Sequence, residues 1–102
     1  MLKVTLEQAK LHLRVDGAEE DALITGLIAA AYGAIEGKTF RKVVEELSEE
    51  PDLKEVLPDG CINSAALLLI AHLYTNRGDT DEELPKAVLW LLEPYVDYAR
   101  GA

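Results

Sequence analysis

The stretch Ile62 to Arg77, INSAALLLIAHLYTNR, decides how the rest of the chain is read. Ile62, Ala65, Ala66, Leu67, Leu68, Leu69, Ile70, Ala71, Leu73 and Tyr74 are apolar, with Asn63, Ser64 and His72 as the interruptions. A helix of about 16 residues rises roughly 24 Å, which is long for a small domain. Apolar groups around nearly its whole circumference call for neighbours on several sides, so the segment is expected to be the central, buried helix. It falls short of the ~20 uninterrupted apolar residues of a membrane span, and His72 would be costly in lipid.

Outward from this helix, Pro58-Asp59-Gly60 turns the chain into it, with Asp59 or Asn63 as alternative caps. Asn76-Arg77-Gly78 closes it. An acidic segment, Asp79 to Glu83, then leads to Leu84-Pro85, where proline suits the start of a fourth helix because its missing amide has no helical partner there. Leu84, Val88, Leu91, Leu92 and Tyr95 fall on an inner face, which leaves Trp90, Tyr98 and Arg100 without a core role. Pro94 removes a backbone bond and kinks or stops the helix, so residues 95–102 are expected to form a separately moving tail.

Upstream, Thr5 precedes Leu6-Glu7-Gln8, the arrangement in which a threonine hydroxyl and a glutamine side chain cap a helix start reciprocally. A first helix of about ten residues follows, with Leu6, Ala9 and Leu13 on one face, Leu2 or Val4 before it, and Asp16-Gly17 as its stop. Glu19, Glu20 and Asp21 place negative charge at the start of a second helix, along which Ile24, Leu27, Ile28, Ala31 and Ile35 recur at helical spacing. On a different face Gly26, Ala30, Gly33 and Gly37 recur at steps of four, three and four, leaving a groove poor in side chains. Glycine in a helix interior costs about 1 kcal/mol relative to alanine, so close packing should compensate. Either the central helix of the same chain or a neighbouring subunit can supply it. Residues 38–58 lose the pattern: Arg41 and Lys42 give way to Glu45, Glu46, Glu49, Glu50, Asp52 and Glu55 around Pro51, while Val43, Val44 and Leu47 suit a brief helix or strand with one buried edge. This span is expected to be a long, mostly surface arm or loop.

At 102 residues the chain is one domain by size, able to bury roughly 60–70% of its unfolded surface. The reading is therefore an all-α protein: a compact bundle of about four helices within a single domain, 1–102, with a long acidic arm between helices two and three. Nineteen acidic against ten basic residues give a net charge of -9. Gripping DNA depends on Lys and Arg replacing counterions on phosphate, so a dedicated DNA-gripping domain is disfavoured, whereas a basic protein partner, or a surface that nucleic acid passes without sticking, is permitted. Cys61 is alone, which rules out an internal disulfide; at the edge of an apolar run it reads as a packed thiol in a reducing compartment. The N-terminus lacks the pattern of a secretory signal.

Catalysis needs a nucleophile beside a base, or carboxylates held in a pocket. Cys61 and His72 are about three turns apart on one helix and form no dyad within it; His72 reads as a core or interface side chain and His12 as exposed. No His or Cys pair has zinc spacing, and Asp79, Asp81 and Glu83 lack the glycine turn of a calcium loop, since Leu84 and Pro85 stand there. Neither Ser48 nor Ser64 sits in the helix-start motif of an acyl-carrier-like protein. No enzyme, cofactor or metal is expected.

Several ordered strings are familiar together: Leu6-Glu7-Gln8-Ala9-Lys10 with His12-Leu13-Arg14-Val15-Asp16, Glu20-Asp21-Ala22-Leu23-Ile24 with Ile28-Ala29-Ala30-Ala31, Ala66-Leu67-Leu68-Leu69 with Ala71-His72-Leu73-Tyr74 and Asn76-Arg77, and Leu84-Pro85, Val88, Leu91-Leu92, Pro94-Tyr95. In this order they resemble the small head-tail connector proteins of tailed bacteriophages, also called adaptor or DNA packaging proteins. Phe40 stands where that pattern has glycine, and Leu73 where tryptophan is frequent, so the turn after the second helix is where the chain departs from it.

The resemblance implies a structural subunit of the virion's head–tail interface, made in the host cytoplasm and assembled as a ring of about a dozen copies on the portal protein. It also implies contact with other head–tail joining or tail proteins, and a DNA channel that passes through without sequence-specific binding or a membrane. In that setting Gly26, Ala30, Gly33 and Gly37 are candidates for the subunit interface, because head-to-tail rings join two different faces. Trp90, Tyr95, Tyr98 and Arg100 are candidates for portal docking, being the aromatic and arginine anchors that concentrate binding energy. The alternative from another class is a small acidic helical interaction module that binds a basic protein or mimics DNA.

Overall fold

The computed structural model describes residues 2–46, 55–75 and 85–96. Their elements run α1 (Leu6–Leu13), α2 (Asp21–Thr39), β1 (Lys42–Val43), β2 (Glu55–Val56), α3 (Gly60–Thr75), α4 (Lys86–Leu92) and a 3-10 turn (Glu93–Tyr95). The fold is all-α with four helices and one two-residue parallel strand pair, β1 beside β2 in the register Lys42 to Glu55 and Val43 to Val56.

Local chemistry accounts for the helix boundaries. Thr5 accepts a hydrogen bond from the Gln8 amide at 3.2 Å, and the Thr5 amide donates to Gln8 Oε1 at 2.9 Å, so the reciprocal cap of α1 forms as its sequence specifies. α3 starts on Asp59, whose Oδ1 accepts from the Ile62 amide at 2.9 Å. Of the two alternative caps, Asp59 is the one used. α4 starts after Pro85 and gives way at Pro94 to the 3-10 turn, as a ring without an amide proton requires.

Helix α3 is the central one, packed against α2 on one side and α4 on the other, with α1 lying against α2 and α3. Its Ile62, Ala65, Ala66, Leu69 and Ile70 are buried against Ile24, Ala31 and Ile35 of α2 and Val88 and Leu92 of α4 in one continuous core. The expectation of neighbours all round is corrected: Cys61, Ser64, Leu68 and Thr75 form a stripe open to solvent. That stripe is exposed because α1, α2 and α4 together cover only part of the helix circumference. The packed thiol expected at Cys61 is likewise corrected to an exposed one.

The arm is rooted more firmly than its sequence suggests. Val43 is buried, the Val43 amide donates to Glu36 Oε2 at 2.8 Å, and the Val44 amide donates to the Val56 carbonyl at 2.9 Å. Both ends of the acidic excursion are thus clamped together beside the C-terminus of α2. Leu47 lies outside the described residues, as do the whole segment 76–84, with Asn76 and Arg77 and the acidic residues compared with a calcium loop, and the tail 97–102.

At Phe40 the chain leaves α2 with φ 58 and ψ 28, a left-handed conformation that glycine adopts without strain. The turn is therefore made here with a bulky residue in a disfavoured region. Phe40 is 43% exposed, so burial offsets the strain only in part. Phe40→Gly is expected to raise the unfolding free energy of the isolated chain by about 1 kcal/mol, read as a higher urea midpoint with an unchanged slope.

Candidate functional site

Two surfaces carry the residues singled out in the sequence. The first is the outward side of α2. Because Ile24, Ala31 and Ile35 turn to the core, the positions half a helical turn away turn to solvent. Gly26, Ala30, Gly33 and Gly37 are all exposed, and Ala22 and Ala29 lie exposed among them. A Cβ placed on Gly26, Gly33 or Gly37 meets no atom within 4 Å. Contact with α3 of the same chain, one of the two explanations open at the sequence level, is thereby overturned: nothing within the fold requires these glycines. Ala22 and Ala29 were missed in the sequence, although they continue the same spacing on either side of Gly26.

The second surface is the corner where α4 meets the start of α3. Trp90 is 77% exposed and, with Cys61, Leu91, Glu93 and Pro94, lines an open apolar groove of about 270 Å³. Tyr95 stands beside it with a different task. Its hydroxyl donates to Asp59 Oδ2, its carbonyl accepts from Arg41 Nε at 2.7 Å, and its side chain is half-buried. The same Asp59 caps α3 with its other oxygen, so one carboxylate ties the 3-10 turn to the α3 N-terminus, while Arg41, just beyond α2, holds that turn by the Tyr95 carbonyl. Tyr95 therefore fixes the 3-10 turn against the start of α3. Tyr98 and Arg100 lie outside the described residues.

A second polar hub fixes the N-terminal segment across the helices. The Val4 amide donates to the Tyr32 hydroxyl at 2.8 Å, Tyr32 donates to Asn63 Oδ1, and Asn63 Nδ2 donates to the Leu2 carbonyl at 2.9 Å and the Pro58 carbonyl at 3.1 Å. Asn63 is thus a cross-link between the N-terminus, α2 and the turn before α3. The Lys3 ammonium lies 5.3 Å from the Tyr32 ring centroid, and the Lys3 amide donates to Glu45 at 2.9 Å.

Both tyrosines titrate above the ordinary phenol. For Tyr95 the leading cause is its hydrogen bond to the Asp59 carboxylate, followed by burial. For Tyr32 burial leads and the Glu45 charge adds to it, against the lowering effect of the Val4 amide. A raised folded-state pKa means that the protonated phenol is favoured in the folded chain. The stabilisation is complete below the unfolded pKa of about 10 and is lost as pH rises beyond it. Urea midpoints are expected to fall between about pH 10 and pH 12, and Tyr95→Phe is expected to be less stable at neutral pH but to show a shallower fall. An equal slope in wild type and variant would remove Tyr95 from this account.

Among the described residues no three His, Cys, Asp or Glu side chains gather as a metal site, and no helix is long and apolar enough to cross a membrane. His12 is exposed and His72 half-buried on α3. A sequence family described as phage gp6-like head-tail connector protein matches residues 3–95. The chain belongs to this family. The gp6-like connector also shares its fold with a solved structure, the crystal structure of bacteriophage HK97 gp6, at a TM-score of 0.66 and 18% sequence identity over 92% of this chain and 93% of that one. No curated protein sequence matches it. As a head-tail connector it is a structural component of the virion whose partners are other phage head and tail proteins.

Proposed function

We propose that this connector subunit assembles as a ring of about a dozen copies on the portal protein and prolongs the DNA channel towards the tail. The observation that carries this reading is the outward face of α2. Six exposed alanines and glycines, Ala22, Gly26, Ala29, Ala30, Gly33 and Gly37, occupy a helix face that solvent would ordinarily fill with charged side chains. Interior glycine costs about 1 kcal/mol each, and in the single chain nothing compensates. A neighbouring copy packed closely on this face does.

The Trp90 corner docks on the portal, with Tyr95 fixing the 3-10 turn beside it and Tyr98 and Arg100 of the adjoining segment adding contacts. The clamped acidic arm reaches towards a neighbour or a tail protein. A net charge of -9 keeps DNA phosphate from adhering to the channel wall. Assembly takes place in the host cytoplasm, before the virion is complete.

The test is mass by light scattering over a concentration series, with and without the portal protein of the same phage. Stoichiometric attachment to the portal in a ring-sized complex is expected. A chain that stays separate from the portal would replace this reading with the acidic interaction module. Trp90 is mostly solvated, so Trp90→Ala should leave the fold intact. Exposed aromatic anchors that become buried in an interface contribute about 2 kcal/mol or more, and the variant is expected to bind portal at least ~30-fold more weakly, measured by calorimetric titration.

A further inference from the structure

The ring contact leaves one feature of α2 without a role: the arrangement of charge at its two ends. Residues 16–21 contain Asp16, Glu19, Glu20 and Asp21 and no base; residues 22–35 contain no charge at all; residues 36–42 contain Lys38, Arg41 and Lys42 and one acid, Glu36, whose carboxylate accepts from the Val43 amide, so this end is net basic. The helix between them spans about 28 Å. That exceeds the Debye length of ~8–10 Å, so each end acts on an approaching surface by itself.

We propose that, away from the portal, two copies of this chain pair through the outward faces of α2, antiparallel, about a two-fold axis near Ala29 and Ala30. An isologous contact requires a face complementary to itself. This face meets the requirement in shape, being built largely of Gly and Ala, with open space at Gly26, Gly33 and Gly37. It meets the requirement in charge as well, since antiparallel packing sets the acidic end of each helix against the basic end of the other, and parallel packing would set like against like.

The groups within the chain define which charges reach across. Asp21 pairs with Lys10 at 2.8 Å, Glu20 accepts from the Tyr74 hydroxyl at 2.5 Å, and Arg41 holds the Tyr95 carbonyl. Asp16 and Glu19 at one end, and Lys38 and Lys42 at the other, are exposed. The two partly exposed apolar side chains of this side, Leu23 and Phe40, lie near opposite ends, and antiparallel pairing brings them together twice. A dimer so formed covers the face that a ring neighbour needs, so it holds subunits out of ring growth until the portal competes. This last step rests on the ring reading; the pairing itself is a property of the isolated chain.

Cysteine cross-linking in a Cys61→Ser background tests it. Disulfides require Cα atoms within about 7 Å, which only a close helix pair with its axis near residue 30 provides. Ala30→Cys is expected to give a covalent dimer under mild oxidation. A mixture of Ala22→Cys and Gly37→Cys should cross-link at least ~10-fold faster than either alone, and more slowly as salt screens the ends. Circular dichroism checks that each variant is folded. Self-linking of Gly37→Cys as fast as its linking to Ala22→Cys, or an Ala30→Cys rate no higher than that of the exposed control Ser64→Cys, overturns the pairing. Portal attachment by a chain that fails to pair would overturn this inference alone, and pairing without portal attachment would overturn the ring reading alone.

Discussion

Gly33→Leu is expected to leave the chain folded and to remove it from the portal-bound ring. The two outcomes have separate causes. In the single chain, a Cβ at Gly33 meets nothing within 4 Å, and leucine is the better helix former by roughly 0.5–1 kcal/mol. Thermal stability should hold or rise. Against a neighbour packed on α2, an added isobutyl group overfills the contact at a cost of about 1–3 kcal/mol, a factor of ~5–150 in each subunit contact. A closed ring repeats that contact at every junction, so the losses compound and ring-sized complexes should vanish from sedimentation profiles. A Gly33→Leu chain that still forms full rings would remove the α2 face from the interface. A chain that fails to fold would contradict the open space described above Gly33.

The second large effect lies in the core. Ile70 is fully buried at the centre of α3, the helix that both α2 and α4 pack against. Ile70→Ala deletes three carbons from a site that neighbouring helices cannot collapse into, and such truncations cost about 2–5 kcal/mol. Domains of this size are stable by roughly 5–15 kcal/mol, so a mid-range loss removes about a third of the stability, with a melting temperature lower by some 10 °C or more. Leu68 supplies the comparison within the same helix: it is 37% exposed, and Leu68→Ala should cost less than about 1.5 kcal/mol. Similar losses in the two variants would contradict the placement of α3 with one solvent-facing stripe.

Both expectations depend on which way a helix face points, and the sequence expresses that unevenly. On α2 the isoleucines at helical spacing identify a core face without ambiguity, because exposing them would forfeit their transfer free energy. The Gly and Ala face carries no such bias. Small side chains lose little in water and gain little in a core, so the same spacing is compatible with contact to α3 or with an outside partner. For α3 the near-complete apolar circumference pointed to burial all round, yet the number of helices available to cover it left Cys61 and Leu68 outside.

Several caps were legible because they are local: Thr5 with Gln8, Asp59 with Ile62, and Pro94 at the end of α4 act within one helical turn, whereas α1 closes on Arg14 in a left-handed conformation, before the expected stop at Asp16-Gly17. The exposure of the described docking candidates was legible in part. Trp90 is exposed as its position off the inner face of α4 required, whereas Tyr95, read as an anchor by residue type, turned out to be tied to Asp59 and Arg41.

What the sequence by itself determined is the set of helices, the capped starts of α1 and α3, the central place of α3 and a charge balance hostile to gripping DNA, since each follows from neighbours three or four residues apart or from composition. What only the tertiary structure decided is the outward turn of the Gly and Ala face, the pairing of Lys42–Val43 with Glu55–Val56 that clamps the arm, and the Val4–Tyr32–Asn63 hub. Those contacts join positions separated by about a dozen residues or more, and a chain acquires them only when packing of the whole domain has fixed where each helix lies.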